Sequence, residues 1–325
     1  MANTFDINKA GKHFFDLSTI AGEISGKGIN VQSDFLCCIN NGAGPTVLLC
    51  AGIHGDEYEP QTVLRHLAES LETEQITGRL IIIPAINYPA AQSGARVSPV
   101  DGQNMNRVFP GKADGTPTER LAAFITREVF PSTDLLIDAH TGGNDINVVP
   151  MIFGFSSESC KVSDAELTTI MEAWGYRYVQ HVTGVDSTIC GAALAANIAS
   201  VEIEGGGGVL RAEELSTIHD GVLRALTAAG VLQTLIEPQP FTGLHVNAGP
   251  EAQLLAPQQG VIEHLVSLGD SVTQGEPVAL LYPLSGKAAA PRELAAPVSG
   301  VVLRQARSAY MKEGQLVMNL GVLIC

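Results

Sequence analysis

An imidazole and a carboxylate stand three residues apart in the stretch Ala51-Gly52-Ile53-His54-Gly55-Asp56-Glu57. With a glycine between them, His54 and Glu57 can both bend toward one cation, and zinc takes nitrogen and oxygen donors in this way. His and Glu beside Gly also occur in ordinary loops, so the pair alone is a weak signal. A second stretch, Leu135-Leu136-Ile137-Asp138-Ala139-His140-Thr141-Gly142-Gly143, ends an apolar run in Asp-x-His followed by glycines. His140 can supply the third ligand. Asp138, two residues earlier on the same strand face, is placed to hold an imidazole in its metal-binding tautomer. Two histidines and a glutamate with one open position form a known catalytic set.

Both stretches follow apolar runs, 47–50 and 135–137, that read as buried parallel strands. Residues 59–71 read as a helix, with Val63, Leu64, Leu67 and Leu71 at helical spacing. The candidate ligands therefore sit at the carboxyl ends of strands, where open α/β sheets place their sites. Residues 1–34 read as an edge hairpin or leader, 34–39 as a strand and 40–44 as a turn. Residues 79–86 form another buried strand, and the order β, β, α, β predicts a right-handed crossover in a mostly parallel sheet.

Further strands are expected over 134–140, 148–155 and 198–202, and helices over 118–130, 163–174 and 212–230. Pro117 starts the first helix, Ser163 with Glu166 caps the second, and Gly230 ends the third. Residues 87–111 form a long irregular stretch, and loops of that length inside a domain are usually functional. It carries Arg96 and Arg107, whose guanidinium forks suit a carboxylate or a polarised carbonyl. His181 lacks a spaced partner and reads as an ordinary surface or core histidine.

The 325 residues are 45% hydrophobic and 16% charged, enough for a sizeable core. A net charge of −15 and a pI near 4.9 argue against binding nucleic acid or anionic membranes. Any anionic substrate group needs local arginines against that field. The six cysteines show neither metal nor disulfide spacing, the start Met1-Ala-Asn-Thr-Phe-Asp is no basic apolar leader, and no apolar run is of membrane-spanning length. A cytoplasmic protein is expected.

Composition shifts at the Pro-rich segment 236–243, which divides an α/β domain, 1–236, from a β domain, 243–325. The second part repeats itself. Ala256-Pro-Gln-Gln-Gly260-Val-Ile matches Ala296-Pro-Val-Ser-Gly300-Val-Val, and Gly275-Glu-Pro-Val matches Gly314-Gln-Leu-Val. Two similar β halves predict a small sandwich with pseudo-twofold symmetry.

The motifs His54-Gly-Asp-Glu57, Arg96, Asn106-Arg107, Asp138-Ala-His140, Glu202-Ile-Glu-Gly-Gly and Gly208-Val-Leu-Arg-Ala212 resemble, in order, the succinylglutamate desuccinylase/aspartoacylase family, itself related to zinc carboxypeptidases. The resemblance spans most of residues 45–230. It implies a zinc carboxypeptidase-like sheet flanked by helices, with one zinc held by His54, Glu57 and His140. It also implies Arg96 at the scissile carbonyl, Asn106 and Arg107 on a substrate carboxylate, and a glutamate near the glycine run as general base. Glu202 keeps the spacing to Gly208 and is favoured for that role, with Glu204, on the same strand face, as the alternative. Aspartoacylase has an arginine about ten residues before its base; the segment Ala192-Ala-Leu-Ala-Ala-Asn has none, which argues against an acylated aspartate.

The C-terminal repeat looks like the biotinyl/lipoyl barrel-sandwich. Lys287, in Ser-Gly-Lys-Ala-Ala-Ala, lacks the carrier pattern, so a covering or oligomerisation role, and hence a homo-oligomer, is expected. The resulting expectation is zinc-dependent hydrolysis of a small N-acyl amino acid. A zinc carboxypeptidase acting on small peptides, or a binder that has lost catalysis, would be the alternatives.

Overall fold

A computed structural model describes residues 6–17, 34–184, 186–233, 236–237, 239–284 and 290–324. Eight strands run side by side: Gly11–Asp16 (β1), Phe35–Asn41 (β2), Thr46–Ala51 (β3), Gly78–Ile83 (β4), Leu135–Ala139 (β5), Ile146–Phe155 (β6), Tyr178–Val182 (β7) and Ala199–Gly206 (β8). Their order is β1-β2-β4-β3-β5-β8-β6-β7. The centre, β4-β3-β5-β8, is parallel, as is β6 with β7, while β1–β2, β2–β4 and β8–β6 are antiparallel. The sheet is therefore mixed, with a parallel heart.

The helices are Tyr58–Ser70 (α1), Tyr88–Ser93 (α2), Pro117–Phe124 (α3), Asp164–Trp174 (α4), Ile189–Ala195 (α5) and Ala212–Ala228 (α6). Alternate strand residues go to opposite faces. Val47 and Leu49 of β3 join Val63, Leu64, Ile170, Trp174 and Val222 of α1, α4 and α6. Leu48 and Cys50 join Phe124 and Ile189 of α3 and α5. With both faces covered, β3, β4 and β5 each carry a continuous apolar run, at 47–51, 80–83 and 135–137.

Several elements differ from the sequence expectation. The stretch 87–111 is not structureless: it holds α2 and a 3-10 turn at Met105–Arg107. The helix expected over 118–130 ends at Phe124 and widens into a π turn, Ile125–Val129. Strand β8 runs on through Gly206, so Glu202 and Glu204 are both strand residues. Elements β7 and α5 were not anticipated; both are short, and α5 is mostly small residues. Of the expected leader or hairpin, β1 pairs with β2, and 18–33 lie outside the described residues.

After α6 the described chain is strand and turn: Leu244–Asn247 (β9), Gln253–Leu255 (β10), Gly260–His264 (β11), Ser271–Val272 (β12), Pro277–Pro283 (β13), Arg292–Ala295 (β14), Gly300–Ala306 (β15), Tyr310–Met311 (β16) and Leu316–Leu323 (β17). The two repeats start β11 and β15. They contact one another reciprocally: Gly275 N–H donates to Ala296 O at 2.9 Å, and Gly314 N–H to Ala256 O at 2.8 Å. Sheet β14-β13-β11-β16 packs Ile262, Val278 and Leu281 against Val302, Met318 and Leu320 of β15 and β17. The other strands extend the main sheet. β9 pairs with β7, β17 with β9 and β15 with β17, and β15 returns to pair with β6. Lys287 lies outside the described residues. Among the described residues, no helix is long and apolar enough to cross a membrane.

The loop after β3 depends on close packing against α2. A Cβ on Gly55 would lie 2.0 Å from the Ala90 carbonyl carbon, a backbone atom that cannot swing aside. Gly55→Ala should therefore cost about 1–3 kcal/mol of stability, read from the urea midpoint at unchanged slope. An unchanged midpoint would show that the loop is not packed in this way.

Candidate active site

Parallel pairing of β3 with β5 aligns Cys50 with Asp138 and Ala51 with Ala139. The turns that follow, bearing His54 and His140, therefore leave the sheet at the same edge. Their ring centroids are 5.0 Å apart. Glu57 occupies the N-cap position of α1 but makes no side-chain cap. Its carboxylate turns inward instead. Oε1 meets His54 Nδ1 at 2.9 Å, and Oε2 meets His140 Nδ1 at 2.7 Å. Thr141 N–H donates to Oε2 at 3.2 Å, and Arg96 Nη1 to Oε1 at 3.0 Å. His54, Glu57 and His140 are all buried, with ligand atoms within 4.8 Å of one another.

Both rings present Nδ1 to Glu57 and are fixed through Nε2. His140 Nε2 meets Asp138 Oδ2 at 2.8 Å. His54 Nε2 meets Asn104 Oδ1 at 3.2 Å. Asn104 had not been singled out; it lies in the long irregular stretch, and no spacing rule links it to His54. The set of two nitrogens and a carboxylate, buried and braced from behind, fits a zinc-type cation.

The electrostatics agree with a site built for positive charge. Burial opposes ionisation of Glu57, yet His140 and His54 outweigh it and hold the carboxyl well below the usual range. Burial likewise opposes the charged form of His140, but Asp138 and Glu57 raise its pKa well above that of free imidazole. His54 goes the other way: burial dominates and lowers it, despite Glu57.

The residues expected on the substrate side are arranged less simply. Arg96 is 38% exposed and reaches the ligands through Glu57. Asn106 is buried, and its Oδ1 accepts Ile189 N–H at 2.9 Å, which leaves the Nδ2 donor for a ligand. Arg107 is exposed and donates to Asn106 O at 2.6 Å. The same 3-10 turn thus carries both, with Asn104 as its N-cap. His181 stands apart, near Asp164 and Thr168.

Residues 43–229 match the family model of the succinylglutamate desuccinylase/aspartoacylase catalytic domain. The chain belongs to this family. It is 32% identical over 295 residues, 88% of this chain and 84% of the relative, to the N-alpha-acetyl-L-2,4-diaminobutyric acid deacetylase of Halomonas elongata. Its fold superimposes on the product-bound ectoine utilization protein EutE (DoeB) of Ruegeria pomeroyi with a TM-score of 0.85, at 30% identity and 98% coverage of each chain. A succinylglutamate desuccinylase/aspartoacylase structure from Rhodobacter sphaeroides gives 0.86 at 30% identity, covering 99% of each.

The family chain carries two glutamates on β8, and the register separates them. Asp138 pairs with Glu202, and the next in-phase residues are His140 and Glu204. Glu202 lies with Asp138 and His140, their oxygen and nitrogen atoms within 4.8 Å. Burial pushes its carboxyl from 4.5 up to about 7, with Glu204 and Asp138 adding to the shift and His140 opposing it. Burial raises Glu204 as well, against the pull of Arg304, and it feels the charges of Glu57 and Arg96. Arg304 Nη2 lies 3.4 Å from Glu204 Oε1. Arg304 escaped the sequence reading because it comes from β15, far along the chain.

Because the folded protein raises the Glu202 pKa, stability linked to this group is full below pH 4.5 and is lost as pH rises through about 7. In chelator-treated protein, Glu202→Gln should therefore gain up to about 3 kcal/mol over wild type on going from about pH 4 to about pH 8. Paired urea titrations at the two pH values check this; an identical difference at both contradicts it.

Proposed function

We propose that this chain is a metal-dependent amidohydrolase that removes the acyl group from a small N-acyl amino acid. The observation that carries the reading is the convergence of His54, Glu57 and His140, with Arg96 and Glu204 beside them. The relatives named above supply the substrate class, and an Nα-acetylated diamino acid is the first compound to test.

His54, Glu57 and His140 would hold one zinc ion. Such an ion lowers the pKa of bound water from about 16 toward 7 and polarises a carbonyl. The protein's own groups do the rest. A glutamate on β8 takes the proton of the attacking water as the C–O bond forms. It returns that proton to the amide nitrogen as the C–N bond breaks, leaving a carboxylate and a free amine. Arg96 donates to the carbonyl oxygen as negative charge grows there. Asn106, through Nδ2, and Arg107 bind the substrate carboxylate.

The geometry supports Glu204 as the base, reversing the preference drawn from spacing alone. It lies in phase with His140 and feels Glu57 and Arg96, whereas Glu202 lies in register with Asp138, one step farther from the Glu57 end of the site. The wider reading is of a cytoplasmic homo-oligomer. It draws on the free, mostly buried cysteines and on exposed apolar residues such as Leu255, Tyr310 and Leu323.

A panel of N-acetyl, N-succinyl and N-formyl amino acids, with dipeptides beside it, tests the substrate class. Amine release should be greatest on an acyl amino acid, stop with a chelator and return with zinc; activity confined to dipeptides, or indifferent to chelation, would refute the reading. In kcat, Glu204→Gln should lose about 10²–10⁴-fold. Glu202→Gln should lose clearly less, and the opposite ranking would return the base role to Glu202. Arg96→Ala should cost about 10²–10³ in kcat, while an effect confined to KM would make it a binding residue only.

A further inference from the structure

We propose that Arg304 is a positioning residue, through which the C-terminal strands hold the Glu204 side chain at its working place beside His140. This rests on the deacylase reading above, and names a component of that site from outside the residues matched by the family model.

The sheet brings Arg304 there. On β6, residues 151–155 pair with β7, and 146–148 are left for β15, with Arg304 opposite Val148. On its other side β6 pairs with β8, with Met151 opposite Glu204 and Phe153 opposite Glu202. An arginine on β15 therefore has a single strand to cross. Between Val148 and Met151 the register shifts, at Pro150, which has no N–H to give the ladder.

The side chain is fixed on its way across. Its guanidinium carbon lies 5.3 Å from the Phe153 ring centroid, a cation–π contact that restrains the head of the side chain. It ends 3.4 Å from Glu204 Oε1, with Arg304 26% and Glu204 17% exposed. At that depth the attraction is screened less than at a surface. Arg304 supplies the strongest attraction opposing repulsion of Glu204 by Glu57, with weaker pulls from His140 and Arg96.

The next arginine secures the backbone around the same carboxylate. Arg307 Nη1 donates to Gly207 O at 2.9 Å and to Gly143 O at 3.4 Å. Its N–H donates to Asp145 O at 2.9 Å. Those carbonyls belong to the segments that follow Glu204 on β8 and His140 in the turn after β5. One short piece of chain, 304–307, thus holds a side chain of the site and both loops beyond it. The C-terminal strands are part of the site's wall.

The test is a double-mutant cycle in the zinc-loaded, full-length protein. Arg304→Ala should lower kcat about 10–100-fold with KM changed less than about threefold, at unchanged zinc content and melting temperature. Arg304→Lys should recover most of the loss. In a Glu204→Gln background the same Arg304→Ala change should cost less than about threefold, because the group it positions is gone. If Arg304→Ala does not fold, Arg304→Met keeps an unbranched stem without the charge and carries the same comparison. An equal cost in both backgrounds, or no cost in the wild type, overturns the proposal. A wild type inactive on every acyl amino acid overturns the deacylase reading with it, whereas an active wild type matched by Arg304→Ala overturns this inference alone.

Discussion

One buried carboxylate organises this molecule's functional end. Glu57 takes Nδ1 of both imidazoles, a backbone N–H and an arginine, using both of its oxygens. A carboxylate removed from water is costly unless donors surround it. Here the donors come from three places: the turn after β3, the turn after β5 with both His140 and Thr141, and the stretch that bears Arg96. Satisfying Glu57 therefore fixes those segments relative to one another. The helix it begins does without a side-chain cap as a result.

The bracing extends outward by layers. Asp138 and Asn104 hold the far nitrogens of the two rings. Asn104 also caps the turn that carries Asn106 and Arg107, so the His54 ring and that turn share one residue. Behind Asp138 the Cys50 thiol reaches its second oxygen at 3.5 Å. The C-terminal strands close the opposite side, because β15 continues the same hydrogen-bonded sheet through β6.

How much of this was legible follows from how local each signal is. His54, Glu57, Asp138 and His140 stand at the ends of unbroken apolar runs, and parallel strands bring their carboxyl ends together. Arg96 and Arg107 stand out in the long irregular stretch and Asn106 by resemblance, but not the commitment of Asn106 Oδ1 to Ile189, which arises only from folding. Glu202 and Glu204 are two residues apart on one strand, so alternation puts both on one face. The register with β5 distinguishes them, and register is a property of two strands. Asn104 and Arg304 were silent because long-range pairing, with no periodicity behind it, delivers them. The segment 236–243 lies between α6 and β9, and strands beyond it pair with β6 and β7, a long-range pairing that composition does not reveal.

The most direct test of the central claim is a cobalt titration of chelator-treated protein, followed by the visible spectrum of the bound ion. The account predicts saturation at about one equivalent per chain, with bands of a four- or five-coordinate nitrogen–oxygen site that disappear in Glu57→Gln. A spectrum that never saturates near one equivalent, or that survives loss of the Glu57 carboxylate unchanged, would contradict it.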